Sequence, residues 1–286
     1  MCQLLGLSAS GPVAPEFSLG GFFRRGGDTD HHTDGWGLGF YRGRQCEVLT
    51  DDRPAAESPL AASLLAANTR SANLIAHVRK ATQGATRRSN CHPFRRTLWG
   101  RHWLFAHNGD LRNAPRHPQG RFIPGGETDS EAAFCTLLNG LVERFGDKAP
   151  GGEMLAAALA SLAGALAQHG PFNFLLSDGE RLFARCSTEL YVVRRVYPFS
   201  QASLIDTGEV IDFARHNHAD DRVVVVATRP LTSDEAWERL APGELRVFEH
   251  GNCLAALTSH SREPEHRNIP AEVLSAPRAL PAVAAG

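Results

Sequence analysis

Apolar residues occur along this chain in two rhythms, and the order of those rhythms limits the fold more than any other feature. Over the first third they come as short runs at 3–8, 35–41, 46–50, 73–78 and 102–106, separated by turn residues. Runs of that length, punctuated in that way, read as strands. The segment PLAASLLAA, 59–67, reads as a helix. A 3.6-residue period then places Ala132, Ala133, Phe134, Leu137, Leu138, Leu141, Val142 and Phe145 along one face of a helix over 129–145. A second helix follows over 152–168, and strands return at 172–177, 181–186, 190–195, 203–206 and 222–227. Val223 to Val226 is an unbroken β-branched run, the pattern of a strand buried on both faces. Strands, then two helices, then strands is not an alternating βαβ chain. It predicts an α+β layered domain, with helix, sheet, sheet, helix as a stacking that buries both sheets.

Bulk properties narrow the class. The formal net charge is −1, and the basic residues sit in pairs (Arg24-Arg25, Arg87-Arg88, Arg95-Arg96) rather than in a stripe. No nucleic-acid partner is expected from that pattern. No apolar run approaches the roughly 20 residues that span a bilayer, so no membrane association is expected. The amino end lacks the basic-then-apolar profile of a secretory leader. Six cysteines at 2, 46, 91, 135, 186 and 253 form no CxxC pair. That is thiol usage in a reducing compartment, and the cytoplasm is the expected location. From about Ser259 the chain is rich in Pro, Ala, Arg and Glu without a period. The expected organisation is one domain over 2–255 and a loosely packed tail over 256–286.

Several short motifs each admit a structural and a chemical reading. Cys2, ahead of Leu4, Leu5 and Leu7, fits the start of a buried strand. It also fits a nucleophile whose own α-amine, exposed by removal of Met1, acts as the base. HVRKATQG, 77–84, is a strand running out into a polar turn. Arg79 there is either an exposed surface arginine or a fork that grips a carboxylate. In FAHNGDL, 105–111, Asn-Gly is a strong hairpin signal. The Asn108 amide and the Gly109 N–H could equally converge on one oxyanion. Thr128 to Glu131 has capping-box spacing, with Asp129 favoured in a first turn. Alternatively Asp129 faces a pocket and binds an ammonium group. DHHTDGWGLGFY, 30–41, reads as a polar loop entering a glycine-rich strand. His31 and His32 are expected to point apart on an extended chain, so no metal is expected there. His92, in NCHPF, reads as a structural hydrogen-bonder.

Taken in order, these motifs resemble the class II glutamine amidotransferases, the N-terminal-nucleophile branch. The residues that carry the resemblance are Cys2, Asp34-Gly35-Trp36-Gly37, His77 to Gly84, Asn90 to Pro93, His107 to Gly109 and Thr128 to Glu131. They span residues 2 to about 145, and the likeness continues more loosely to about 250. The resemblance implies a four-layer α-β-β-α sandwich of two mainly antiparallel sheets. It implies Cys2 as nucleophile with its α-amine as base, and Asn108 and Gly109 as the oxyanion hole. It implies Arg79, Thr82, Asp129 and His92 around the substrate, with Arg79 on the α-carboxylate, Asp129 on the α-ammonium and His92 beside the arginine. The implied reaction is hydrolysis of L-glutamine to glutamate and ammonia through a γ-glutamyl thioester, without a cofactor, the ammonia going to a separate acceptor enzyme. Lys80 departs from the pattern, since an aromatic residue often follows the motif arginine in the synthases; the next variable place is Gln83. Two other readings stay open: a γ-glutamyl amide or peptide hydrolase without ammonia transfer, and a glutamine-sensing subunit. A metalloenzyme using His31, His32, His77, His92 and His107 is the weakest alternative.

Overall fold

The computed structural model describes residues 2–81, 84–114 and 120–258. In chain order these form β1 (Gln3–Val13), α1 (Glu16–Arg24), β2 (Trp36–Arg42), β3 (Gln45–Asp51), α2 (Pro59–Ala66), β4 (Ser71–Val78), β5 (Phe94–Leu98), β6 (Arg101–Gly109), α3 (Asp129–Phe145) and α4 (Gly152–Leu166). Then come β7 (Phe172–Ser177), β8 (Arg181–Arg185), β9 (Tyr191–Val196), β10 (Gln201–Ser203), β11 (Val210–Asp212), β12 (Arg222–Ala227), β13 (Glu238–Arg239), β14 (Glu244–Glu249) and β15 (Asn252–Thr258). Of the expected tail, 256–258 finish β15 and the rest lies outside the described residues.

The fold is α+β. A seven-stranded antiparallel sheet runs β13-β9-β12-β1-β4-β2-β3, and a six-stranded antiparallel sheet runs β15-β14-β8-β7-β6-β5. The outer face of the first sheet packs on α1 and α2 through Leu5, Leu7, Phe22, Phe23, Leu64, Val223 and Val225. The outer face of the second packs on α3 and α4 through Phe105, Phe134, Leu138, Leu159, Phe172 and Phe174. Between the sheets lie Leu4, Ile75, Leu104, Ala106, Leu175, Leu182, Val224 and Val226. The alternation along β12 explains its β-branched run: odd residues face helices and even ones face the other sheet, so every position from Val223 to Ala227 is apolar. The stack is the four-layer α-β-β-α sandwich.

Six elements escape the sequence pattern: α1, β5, β11, β13, β14 and β15. Helix α1 contains Gly20 and Gly21, which together cost about 2 kcal/mol of helix propensity. Burial of Leu19, Phe22 and Phe23 outweighs this, at roughly 1.5–3 kcal/mol for each large apolar side chain. Strand β5 (FRRTL) is a sheet edge, paired only with β6, and its three polar residues hide the alternation. The hairpin expectation at Asn108-Gly109 is corrected. Both residues continue β6, paired with Asn173 and Phe172 of β7. The six cysteines are all free thiols, and no helix among the described residues is long and apolar enough to cross a membrane.

Candidate active site

Strand β1 carries Cys2 to the edge of the layer between the sheets. Leu4 faces that layer, so Cys2, two residues earlier, faces it too. Gln3 pairs with Val78 on β4, which sets Cys2 opposite Arg79. The Lys80 N–H donates to Cys2 Sγ at 3.3 Å, and the thiol donates back to the Lys80 carbonyl at 3.3 Å. Burial pushes the Cys2 thiol above its ordinary pKa; the Lys80 contact and the Arg79 charge oppose this without overcoming it. At neutral pH the sulfur is protonated.

Arg79 is buried rather than exposed. Its guanidinium donates to the carbonyls of Asp34 (3.4 Å), Gly84 (3.1 Å) and Ala85 (3.2 Å). These three carbonyls hold the fork in place. The backbone is laced on both sides: Arg79 N–H donates to Gly35 O (2.8 Å), Asp34 N–H to Arg79 O (3.0 Å), and Ala81 N–H to Asp34 Oδ2 (2.8 Å). The turn needs glycine at 35, where φ is +111° and a β-carbon would lie 2.6 Å from Cys91 Sγ. Thr82 lies outside the described residues.

Strand β6 brings Asn108 and Gly109 to the same end of the molecule. Asn108 faces the inter-sheet layer, 1 % exposed. Its amide Nδ2 lies 3.4 Å from Thr228 Oγ1, and that hydroxyl oxygen accepts the Leu4 N–H at 2.9 Å. Asn108 is thus two hydrogen bonds from β1, the strand that follows Cys2. The His107 N–H points away from β7, to His92 Nδ1 at 3.4 Å. Strand alternation sends the Gly109 N–H to that same side, past the end of β5.

Three buried histidines brace this end. His77 and His92 pack with ring centroids 4.2 Å apart, and His107 Nδ1 is 2.9 Å from Ser130 Oγ. Burial, the largest cause in each, lowers all three below the ordinary imidazole range, His77 to about 3, so they are neutral at pH 7. The partners of His92 are the β6 backbone and the His77 and Phe94 rings.

At the start of α3 the expected cap is present, with Glu131 N–H donating to Thr128 Oγ1 at 3.2 Å. The Glu131 carboxylate accepts from Gly126 N–H (2.6 Å) and Arg96 (2.5 Å). Buried Asp129 accepts the Leu111 N–H at 2.8 Å, two residues beyond Gly109. The helix start is thereby pinned to the end of β6.

His31 and His32 do not point apart. Their rings stack at 5.1 Å around Asp30, which also accepts from Gln3 Nε2 at 2.9 Å. Among the described residues no three His, Cys, Asp or Glu side chains gather as a metal-ligand set. A groove of about 780 Å³ between α1, α2 and β11 lies on the helix side of the first sheet, away from Cys2, and includes none of these motifs. The sequence reading missed Thr228. It follows a plain valine strand and belongs to no motif, so only the pairing of β12 with β1 could reveal it.

A family model for class-II glutamine amidotransferases matches residues 1–272. A Haemophilus influenzae protein with the provisional name glutamine amidotransferase is 43% identical over 263 residues, 92% of this chain and 89% of that one. YafJ of Escherichia coli, provisionally named likewise, is 45% identical over 251 residues, 87% of this chain and 97% of that one. The crystal structure of a predicted glutamine amidotransferase from Pseudomonas aeruginosa superposes with a TM-score of 0.70 at 38% identity, covering 89% of this chain and 100% of that one. The glutamine phosphoribosylpyrophosphate amidotransferase of B. subtilis, at 15% identity and TM-score 0.56, shares the fold over 91% of this chain and 50% of its own.

Proposed function

The chain belongs to the class-II glutamine amidotransferases, and on that premise we propose that it hydrolyses the γ-carboxamide of L-glutamine to glutamate and ammonia through a γ-glutamyl thioester on Cys2. The observation that carries this reading is the seat of Cys2. Its sulfur is held by the Lys80 backbone at the end of the inter-sheet layer, opposite a buried arginine.

A thiol raised by burial needs a base. Removal of Met1 supplies one in the Cys2 α-amine, a group that titrates near 7.7–8.0 and is partly neutral at pH 7, as roughly expected for a free amino terminus. The amine takes the thiol proton as Sγ bonds to the side-chain carboxamide carbon (Cδ) and the carbonyl π pair moves onto oxygen. The carbonyl oxygen becomes an oxyanion between the Asn108 amide and the Gly109 N–H. The amine returns the proton to the leaving nitrogen, the C–N bond breaks and ammonia departs. Water, deprotonated by the same amine, then attacks the thioester carbon; the C–S bond breaks, the amine returns the proton to Sγ, and glutamate leaves. Arg79 grips the α-carboxylate and Asp129 the α-ammonium, so a free amino-acid end is selected.

The test is intact mass before and after incubation with a diazo-ketone analogue of glutamine, alongside a glutamate-release assay. We expect loss of Met1, one adduct, and glutamine turnover, with adduct and turnover both absent in Cys2→Ala. Turnover that survives Cys2→Ala would refute the assignment. Adduct-free protein that cleaves only larger γ-glutamyl amides would move the substrate away from glutamine.

A further inference from the structure

Strand β12 ends at Ala227, and the next residue does something the ladder does not require. Register places Thr228 opposite Leu4, and the Thr228 N–H donates to the Leu4 carbonyl at 3.1 Å as an ordinary pair would. The return bond is different. Leu4 N–H donates not to a backbone carbonyl but to the Thr228 hydroxyl oxygen, at 2.9 Å. That bond fixes the rotamer of a side chain that is 6 % exposed.

The same hydroxyl meets the Asn108 amide at 3.4 Å. With Nδ2 toward it, as placed, Asn108 Oδ1 is buried without a hydrogen-bond partner, and the Thr228 hydroxyl hydrogen finds no acceptor among the described residues. An unmet buried acceptor costs about 1–3 kcal/mol. A primary amide has nearly the same shape with its oxygen and nitrogen exchanged, so the hydrogen bonds decide which way it sits. Turning the Asn108 amide by half a revolution pairs that acceptor with that hydroxyl, and leaves the amide hydrogens open for an incoming oxygen. Thr228 O–H then donates to Oδ1, and both amide hydrogens are released from Thr228 toward the layer where Cys2 lies.

We propose that Thr228 is a positioning residue, a hydroxyl clamp that takes its orientation from the Leu4 backbone and uses it to lock the Asn108 amide with its N–H groups facing the reacting carbonyl. The clamp ties the oxyanion donor to β1, the strand that carries the nucleophile, so the two are set relative to each other through one side chain. This deepens the glutaminase reading and rests on it.

The experiment compares Thr228→Val and Thr228→Ser with the unmodified chain. Three readouts are used: kcat and KM for glutamine, and the rate of Cys2 alkylation by iodoacetamide followed by peptide mass. Alkylation at a saturated carbon builds no oxyanion, so it reports only the thiol and its strand. Loss of a whole oxyanion donor costs about 10²–10³ in rate, so a loosened donor should cost about tenfold. Thr228→Val is expected to lower kcat about tenfold with KM within about twofold and alkylation unchanged. Thr228→Ser is expected to keep most of kcat. Unchanged kcat in Thr228→Val, or kcat and alkylation falling together, would overturn the clamp, the second by showing a displaced strand. Should the valine variant not fold, a serine variant with tenfold lower kcat and normal alkylation would also overturn it, because the hydroxyl is retained. An unmodified chain that turns over no glutamine would instead refute the parent reading, and the clamp with it.

Discussion

A β-carbon added at Gly109 would sit 1.8 Å from the Pro171 carbonyl oxygen and 2.6 Å from His107 Nε2. The first of these is backbone, so it cannot swing aside. Gly109→Ala must therefore push the end of β6 from β7 and re-aim the N–H assigned to the oxyanion. We expect kcat/KM to fall at least about 100-fold, with a loss of about 1–3 kcal/mol in stability from overpacking, read by urea unfolding. A variant with full activity would remove Gly109 from the proposed site. At this scale the sequence was informative where one residue type answers one local demand. Gly35 and Gly109 stand in motifs because a side chain at either would strike a neighbour. Arg79 was legible as a fork, but not its burial, since the carbonyls that hold it come from two separate loops. Thr228 was not legible at all, because its meaning lies in a pairing across 224 residues.

Elements place those residues, and the start of α3 does so most directly. Thr128 caps the helix, and Asp129 reaches back to the Leu111 N–H just past β6. Thr128→Ala removes one cap bond and should cost about 1 kcal/mol, read by the urea midpoint. If Asp129 binds the α-ammonium, fraying of this turn should also raise KM for glutamine with little change in kcat. A variant that loses stability but keeps its KM would detach Asp129 from the substrate. Helix α3 was readable because eight apolar residues repeat along it with a helical period. The glycine-bearing α1 and the polar edge β5 were not, because tertiary burial and sheet position decide them rather than propensity. Asn-Gly misled for the same reason. Its turn preference is local, while pairing with Phe172 and Asn173 holds it in an extended strand.

The whole molecule encloses three of its imidazoles between the sheets and under α3, and this makes its stability depend on pH. His77, His92 and His107 are buried, and burial lowers the pKa of each in the folded state, that of His77 to about 3. Arg79 adds to the lowering for His77 and His92, while Asp129 opposes it for His107. In the unfolded chain each histidine takes a proton near pH 6.5, its roughly unperturbed value. Below that pH the unfolded state binds protons that the folded state refuses, so folding stability is complete above about 6.5 and falls as the pH drops toward 3. For His77 the slope is up to about 1.4 kcal/mol per pH unit, and the other two act in the same direction. Among the described residues neither His77 ring nitrogen makes a well-formed hydrogen bond, although the His107 backbone is close enough to favour its charged form slightly. Its replacement by an apolar residue therefore sacrifices at most one weak contact and removes a proton site, so His77→Leu should hold its stability at pH 7.5 within about 1–2 kcal/mol, the cost of a change in shape. Its acid limb should be shallower. Urea unfolding of both proteins between pH 7.5 and 4.5 reads this directly. Parallel limbs would show that His77 stays unprotonated in the unfolded chain as well, or is charged in both states, and the buried neutral cluster would lose its part in acid sensitivity.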